Sequence, residues 1–136
     1  MKPTKIEHIG IAVKHLKDSI PLFEKLLGTA CYRVEEVPDQ KVTTAFFKVG
    51  EVKIELLESN AADGPIGRFI EKQGEGVHHI ALAVDDVAAS LRELQGHGVQ
   101  VVDSQPRAGA EGLSIAFLHP GSTHGVLTEL CQHPMP

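Results

Sequence analysis

Residues 75–86 read EGVHHIALAVDD, and residues 5–16 read KIEHIGIAVKHL. In each stretch a histidine stands directly before a run of small, apolar and β-branched residues. Aligning His8 with His79 gives an offset of 71 positions (79 − 8). Short apolar strands produce one such match by chance, so a duplication has to be tested on the segments that come after each copy.

An amphipathic segment follows each copy. Asp18-Ser19 leads into IPLFEKLLG, and Asp85-Asp86 leads into VAASLRELQGHG. Both segments place apolar residues at the i, i+3, i+4 spacing of a helix, begin near a capping residue and stop at a glycine. The pattern therefore predicts one helix after each histidine strand.

Three strand-like pieces then complete each half, and the last pieces align again, so that Glu55 falls on Glu129. The pieces are ACYRVEEV, VTTAFFKVG and VKIELLE in the first half and VQVVD, LSIAFLHP and GVLTELCQ in the second. Two matches in the same order favour duplication. We therefore predict an α+β chain of two tandem βαβββ modules, at about 5–58 and 77–132. A connector at 59–76 contains the short helical piece IGRFIEKQ, and all of 1–136 forms a single domain.

Composition excludes several classes of protein. A net charge of −5 with no basic stripe argues against nucleic-acid binding. No apolar run approaches the roughly 20 residues of a membrane span, and the start has no secretory pattern. Cys31 and Cys131 are too few for a disulfide framework, so we expect a reduced, cytoplasmic protein in which both act as small apolar residues.

Strand alternation indicates where the chemistry lies. His8 and His79 share a face with glycine or alanine neighbours, while the apolar residues between them turn toward the helix. Glu55 and Glu129 fall on the same face as the histidines. A buried lone carboxylate is costly, so these residues form a poor core but a suitable cleft wall. We predict that His8, Glu55, His79 and Glu129 bind one divalent ion, such as Co, Mn, Ni, Zn or Fe.

The chain is identified by three phrases as a relative of the vicinal oxygen chelate (glyoxalase) superfamily, and within it of the methylmalonyl-CoA epimerase family. The phrases are HIGIAV at 8–13, GEGVHHIALAVDD at 74–86 and FLHPGSTHGVLTEL at 117–130, supported by PIGRFIEK at 65–72. The resemblance covers the chain from about Lys5 to Gln132. It implies a cupped mixed sheet around the metal site, formed by both modules.

The resemblance also implies an activity, the interconversion of (R)- and (S)-methylmalonyl-CoA through a metal-stabilised enolate, with an acyl-CoA substrate and a homodimeric protein. Catalytic roles fall on Glu129 and Glu55, as bases on opposite sides of C2. Two departures stand out: Thr44 occupies the position of the family's second base, and Glu55 replaces a glutamine ligand. Either Glu55 is the opposing base, or another group or a water molecule is.

Three alternatives to the epimerase stay open from the sequence. Glyoxalase I uses the same His, Glu, His, Glu metal set on a glutathione hemithioacetal. Non-catalytic binding proteins of this fold lack the metal ligands, and extradiol dioxygenases use two His and one Glu. The Gly-rich PRAGAEG segment at 106–112 is either a plain connector or a contact for the acyl or phosphate groups of the substrate.

Overall fold

Two units divide the chain in the computed structural model, which describes residues 1–134. The first unit is His8–His78, and the second is Met1–Glu7 together with the chain from His79 onward. The first histidine strand, β1 (Lys5–Ala12), therefore contributes to both units, as does β5 (Gly76–Ala83). The single domain remains a prediction.

The first unit carries one sheet and two helices. Its elements after β1 are α1 (Leu16–Leu27), β2 (Arg33–Val37), β3 (Val42–Val49), β4 (Val52–Ser59) and α2 (Pro65–Gln73). The strand order is β2-β3-β4-β1. The pairing of β1 with β4 is parallel, and the other two pairings are antiparallel. The first strand of the module therefore lies beside its last, which brings the aligned His and Glu strands together.

Helix α1 begins earlier than the sequence predicts. The Asp18-Ser19 pair is not its cap; instead the backbone N–H of Leu16 donates to Oε1 of Glu58 at 2.6 Å. A carboxylate at a helix start satisfies an otherwise unbonded N–H and complements the helix dipole. The helix ends as expected at Gly28, whose φ of 64° needs the freedom of glycine.

The core of the first unit lies on the helix side of the sheet. Strand alternation places the apolar residues of β1, β3 and β4 against α1, as the sequence predicts. The buried set is Val13, Leu16, Ala45, Phe47 and Leu56, with Ile11, Ile20, Phe23, Leu27, Cys31 and Ile54 packed around it. The opposite face carries Glu55 and Thr44 together with the buried apolar side chains of Phe46 and Leu57.

The second unit repeats this plan. After β5 come α3 (Val87–Gly96), β6 (Arg107–Ala108), β7 (Ser114–Leu118) and β8 (Thr128–Gln132), with strand order β5-β8-β7-β6 and parallel β5/β8 pairing. Asp86 caps α3, since its Oδ1 accepts from the Ala89 N–H at 3.0 Å. The core against α3 contains Val84, Val87, Leu91, Ala116, Leu118 and Leu130. Two βαβββ modules are thus confirmed.

One predicted strand is wrong. VQVVD forms only a single bridge, between Val101 and Leu118, and the module's second strand is the two-residue β6 instead. The physical reason is Asp103, whose Oδ2 accepts the backbone N–H of Phe117 at 2.9 Å. That side-chain bond takes the donor a continued ladder would use. Within residues 1–134, no helix is long and apolar enough to cross a membrane.

The buried core predicts a large stability difference between two leucines. Leu56 is fully buried against α1, whereas Leu26 is 68% exposed on that helix. We expect Leu56→Ala to lower the free energy of unfolding by about 2–5 kcal/mol, because it leaves a cavity. The matched Leu26→Ala control should change it by less than about 0.5 kcal/mol. Urea denaturation followed by circular dichroism measures both, and equal effects would contradict this assignment of the core.

Candidate metal and proton-transfer site

The first half of the candidate site is a His8–Glu55 pair on adjacent strands. Gly10 of β1 is the register partner of Glu55 on β4, so His8 lies two residues before that partner on the same face. Nδ1 of His8 is 3.1 Å from Oε2 of Glu55, and both side chains are buried. The parallel pairing of β1 and β4 therefore brings together two of the predicted ligands.

The second half is a His79–Glu129 pair with the same construction. Ala81 of β5 is the register partner of Glu129 on β8, and His79 again lies two residues before it. Nε2 of His79 is 3.2 Å from Oε1 of Glu129, and both side chains are buried. Each pair thus stands over a residue with little or no side chain, Gly10 in one case and Ala81 in the other.

The spacing within each pair suits two ligands of one ion. Ligand bonds of about 2.1 Å meeting at about 90–109° place two donor atoms about 3.0–3.4 Å apart. The donor atoms of both pairs fall in that range, at 3.1 and 3.2 Å. Imidazole nitrogen and carboxylate oxygen are also ligands that divalent transition metals accept. The residues present therefore fit a divalent metal.

The thiol of Cys131 makes a contact with the candidate site that sequence reasoning missed. It was expected to act as a small apolar residue, and it does pack with Ala81, Leu113, Ile115 and Phe117. Its thiol, however, donates to Oε2 of Glu129 at 2.9 Å. Because the other oxygen of Glu129 faces His79, the thiol holds the carboxylate in one orientation. The only signal in the sequence is that Cys131 lies two residues after Glu129, hence on the same face.

Phe117 fixes the ring of His79. It is the register partner of Glu129 on β7, and its own ring meets that of His79 edge-on, with centroids 5.5 Å apart and planes at 79°. The phenyl ring is almost fully buried. An aromatic wall on this side of the pair restricts the histidine to few orientations and keeps water away from it.

The neighbouring histidine, His78, points elsewhere, as strand alternation predicts. Its ring packs edge-on against Phe69 of α2, with centroids 5.0 Å apart. Both residues belong to the first unit. His78 therefore has a packing role on the helix side.

Thr44 shares the face of Glu55 in the first unit. It is buried, and its register partners are Leu57 on β4 and Glu35 on β2. Glu35 therefore also lies on that face, and its carboxylate is 3.0 Å from an Nη of Arg33. Sequence reasoning passed over Glu35, because only the register of β2 against β3 reveals that it lies beside Thr44.

Lys53 is a third residue that the sequence analysis did not single out, after Cys131 and Glu35. It is the register partner of His8 and is buried, so its side chain leaves β4 on the face that holds Glu55. A buried lysine is rare unless its charge is compensated. Lys53 thus adds positive charge to the face where Glu55 is buried.

Comparison with known proteins identifies relatives of this chain. Residues 7–117 match the model of the glyoxalase/bleomycin resistance protein/dioxygenase superfamily. The chain is 46% identical to the uncharacterized protein YqjC of Bacillus subtilis, over 94% of this chain and 91% of that protein. It is 35% identical to the ethylmalonyl-CoA/methylmalonyl-CoA epimerase of Cereibacter sphaeroides, over 94% of this chain and 97% of the relative.

A solved structure of an epimerase is similar to this chain over almost its whole length. The methylmalonyl-CoA epimerase of Streptomyces coelicolor, in complex with 2-nitronate-propionyl-CoA, matches with a TM-score of 0.93 at 37% identity. The match covers 96% of this chain and 95% of that one. The two epimerases among these relatives are enzymes, as was expected of this chain, and the predicted fold is theirs. The chain belongs to the glyoxalase/bleomycin resistance protein/dioxygenase superfamily, and within it to the family of the methylmalonyl-CoA epimerases.

Proposed function

We propose that this protein interconverts the (R) and (S) forms of methylmalonyl-CoA in a metal-dependent reaction. The observation that carries the proposal is the repeated His–Glu pair, buried in each half of a chain that matches epimerases over nearly its whole length. The substrate's C2 proton lies between a thioester carbonyl and a carboxylate. Its removal leaves an enolate, and the site has to stabilise that charge.

His8, Glu55, His79 and Glu129 are the residues we propose as ligands of one divalent ion. When bound, such an ion supplies a Lewis acid for the enolate oxygen. Two neutral imidazoles and two carboxylates balance a charge of +2, which offsets the cost of burying Glu55 and Glu129. Co, Mn, Ni, Zn and Fe all suit this donor set.

Glu129 is the base we assign to one face of C2. Cys131 donates to its Oε2, and His79 lies against its Oε1, so the carboxylate is held rather than free to rotate. A held base keeps its orientation toward the proton it removes, which lowers the entropic cost of the step. The buried phenyl ring of Phe117 limits the access of water.

The second base is Glu55 in our proposal, with Glu35 as the other candidate. Thr44 cannot act as a base at neutral pH, because its hydroxyl does not ionise there. Glu55 is buried beside His8, whereas Glu35 lies across from Thr44 and pairs with Arg33. Substituting each carboxylate in turn distinguishes the two.

A glyoxalase I-type lactoylglutathione lyase is the second candidate, because it shares the His, Glu, His, Glu donor set. Relatives at 36% and 35% identity over most of the chain, from Dictyostelium discoideum and Cereibacter sphaeroides, are named as epimerases of acyl-CoA thioesters, which favours the epimerase.

A homodimer, expected from the resemblance, stays a prediction.

Proton exchange at C2 tests the proposed reaction directly. The metal-loaded protein, incubated with (S)-methylmalonyl-CoA in deuterated water, should incorporate deuterium at C2 and generate the (R) form, as followed by NMR and mass spectrometry. The same preparation should not turn over a glutathione hemithioacetal. Lactoylglutathione formation without exchange on the CoA ester would transfer the assignment to the glyoxalase.

Substitution of the carboxylates tests their roles. Glu129→Gln and Glu55→Gln should each reduce epimerisation by about 10²–10⁴-fold, because both directions need both groups. Each variant should still exchange deuterium into one isomer through the base that remains. Metal analysis checks that the ion is retained, since a glutamine oxygen can still act as a ligand. Near-normal epimerisation by Glu55→Gln, with loss in Glu35→Gln but not in the exposed control Glu36→Gln, would make Glu35 the second base.

Removal of the thiol tests the orientation of Glu129. Cys131→Ala should lower kcat by about 3–10-fold, because a weak donor to a charged group is lost. Cys131→Ser, which keeps a donor, should recover part of that loss. Cys31→Ala serves as the control, since the Cys31 thiol bonds the carbonyl of Arg33 and not a carboxylate. Equal kcat in wild type and Cys131→Ala would show that the thiol only packs.

A further inference from the structure

We propose that Arg107 binds an anionic group of the acyl-CoA substrate, either the acyl carboxylate or a CoA phosphate, and so determines which thioesters the protein accepts. This inference rests on the proposed function and deepens it. It starts from the PRAGAEG segment, whose role the sequence left open.

The register of the second unit places Arg107 on the same face as Glu129. Arg107 is the partner of Ile115, and Ile115 is the partner of Cys131, so the three form one row across β6, β7 and β8. Cys131 lies two residues after Glu129, on the same side of its strand. The arginine therefore belongs to the functional face of this sheet and not to its helix side.

Contacts within the second unit hold the guanidinium in a defined orientation. Cζ lies 5.6 Å from the centre of the Phe117 ring, the same ring that meets His79 edge-on. Nε is 3.2 Å from Oδ1 of Asp103, whose other oxygen accepts the Phe117 N–H. One aromatic ring thus separates the arginine from the His79–Glu129 pair. Aromatic stacking and a carboxylate clamp are what orient a guanidinium for recognition.

The backbone around Arg107 is also tightly packed. A Cβ added at Gly109 would come within 2.8 Å of the Ile115 side chain, and the Gly109 N–H donates to the carbonyl of Leu113 at 2.9 Å. The turn after β6 therefore lies directly on β7. Because Arg107 begins this turn on a paired strand, its Cα is fixed relative to Glu129.

The guanidinium of Arg107 keeps one edge for a ligand. Among strands β5 to β8, Arg107 is the single lysine or arginine. The Asp103 contact involves the Nε edge, and the side chain is 37% exposed. The Nη edge is thus the part of the fork that a ligand meets, and a guanidinium binds carboxylate or phosphate oxygens in bidentate fashion. Methylmalonyl-CoA carries both kinds of anion.

Binding by calorimetry tests the inference on the full-length, metal-loaded protein. Arg107→Gln removes the charge, Arg107→Lys keeps it without the planar fork, and Arg92→Gln removes an exposed charge on α3 as the matched control. The ligands are methylmalonyl-CoA, propionyl-CoA, which lacks the acyl carboxylate, and the N-acetylcysteamine thioester of methylmalonate, which lacks the phosphates.

For methylmalonyl-CoA, we expect Arg107→Gln to raise the Kd by about 10–100-fold, Arg107→Lys to raise it by less, and Arg92→Gln to leave it unchanged. If Arg107 binds the acyl carboxylate, Arg107→Gln raises the Kd of the N-acetylcysteamine thioester as much as that of methylmalonyl-CoA. The Kd of propionyl-CoA then stays unchanged. If Arg107 binds a CoA phosphate, Arg107→Gln raises the Kd of propionyl-CoA and leaves that of the N-acetylcysteamine thioester unchanged. Thermal melting verifies that the variants fold.

An unchanged Kd for all three ligands in Arg107→Gln, with tight binding and epimerisation by the wild type, would overturn the role of Arg107 and leave the epimerase intact. Equal weakening in Arg92→Gln would also overturn it, because the effect would then be one of net charge. Failure of the wild type to bind any of the three would instead reject the proposed function.

Discussion

The burial of two carboxylates is the constraint on which the rest of the site depends. Glu55 and Glu129 are both almost fully buried, and a buried carboxylate without compensation costs several kcal/mol. In each half the fold meets this cost in the same way, with a histidine nitrogen at 3.1–3.2 Å and a small residue opposite the glutamate. Parallel pairing of the first and last strands of a module is what makes that arrangement available.

The same pairing explains why so much of the sheet face is chemically unusual. Gly10 and Ala81 leave room on one side of the glutamates, and on the other side the buried rings of Phe46 and Phe117 are their register partners. The clusters against α1 and α3 lie on the helix side, but the second unit has a further apolar cluster that includes residues of the functional face: Ala81, Leu113, Ile115, Phe117 and Cys131.

The repeat made the modules and the two His–Glu pairs predictable, because it gave strand parity and equivalence at once. Prediction failed where a side chain competes with the backbone ladder. Asp103 takes the Phe117 N–H, so VQVVD does not become a strand and the short β6 replaces it. The start of α1 was misplaced for a similar reason, since Glu58 caps it from a distant strand. Glu35 and Arg107 are placed on the functional face by register between strands, and a single sequence does not give that register. Lys53 and Cys131 follow from alternation along the strands of Glu55 and Glu129, a signal that the sequence analysis did not use.

The contact between Cys131 and Glu129 makes the two halves chemically unequal. The residue two positions after Glu55 is Leu57, which has no hydrogen to donate, whereas Glu129 has the thiol. The duplicated scaffold thus holds two glutamates with different side chains beside them, so the two directions of the proposed epimerisation would pass through unlike proton donors. The equilibrium constant between epimers belongs to the substrate alone. Any advantage the thiol confers on one direction must therefore reappear in the other, and the inequality can alter only how fast equilibrium is reached and which enzyme form accumulates on the way.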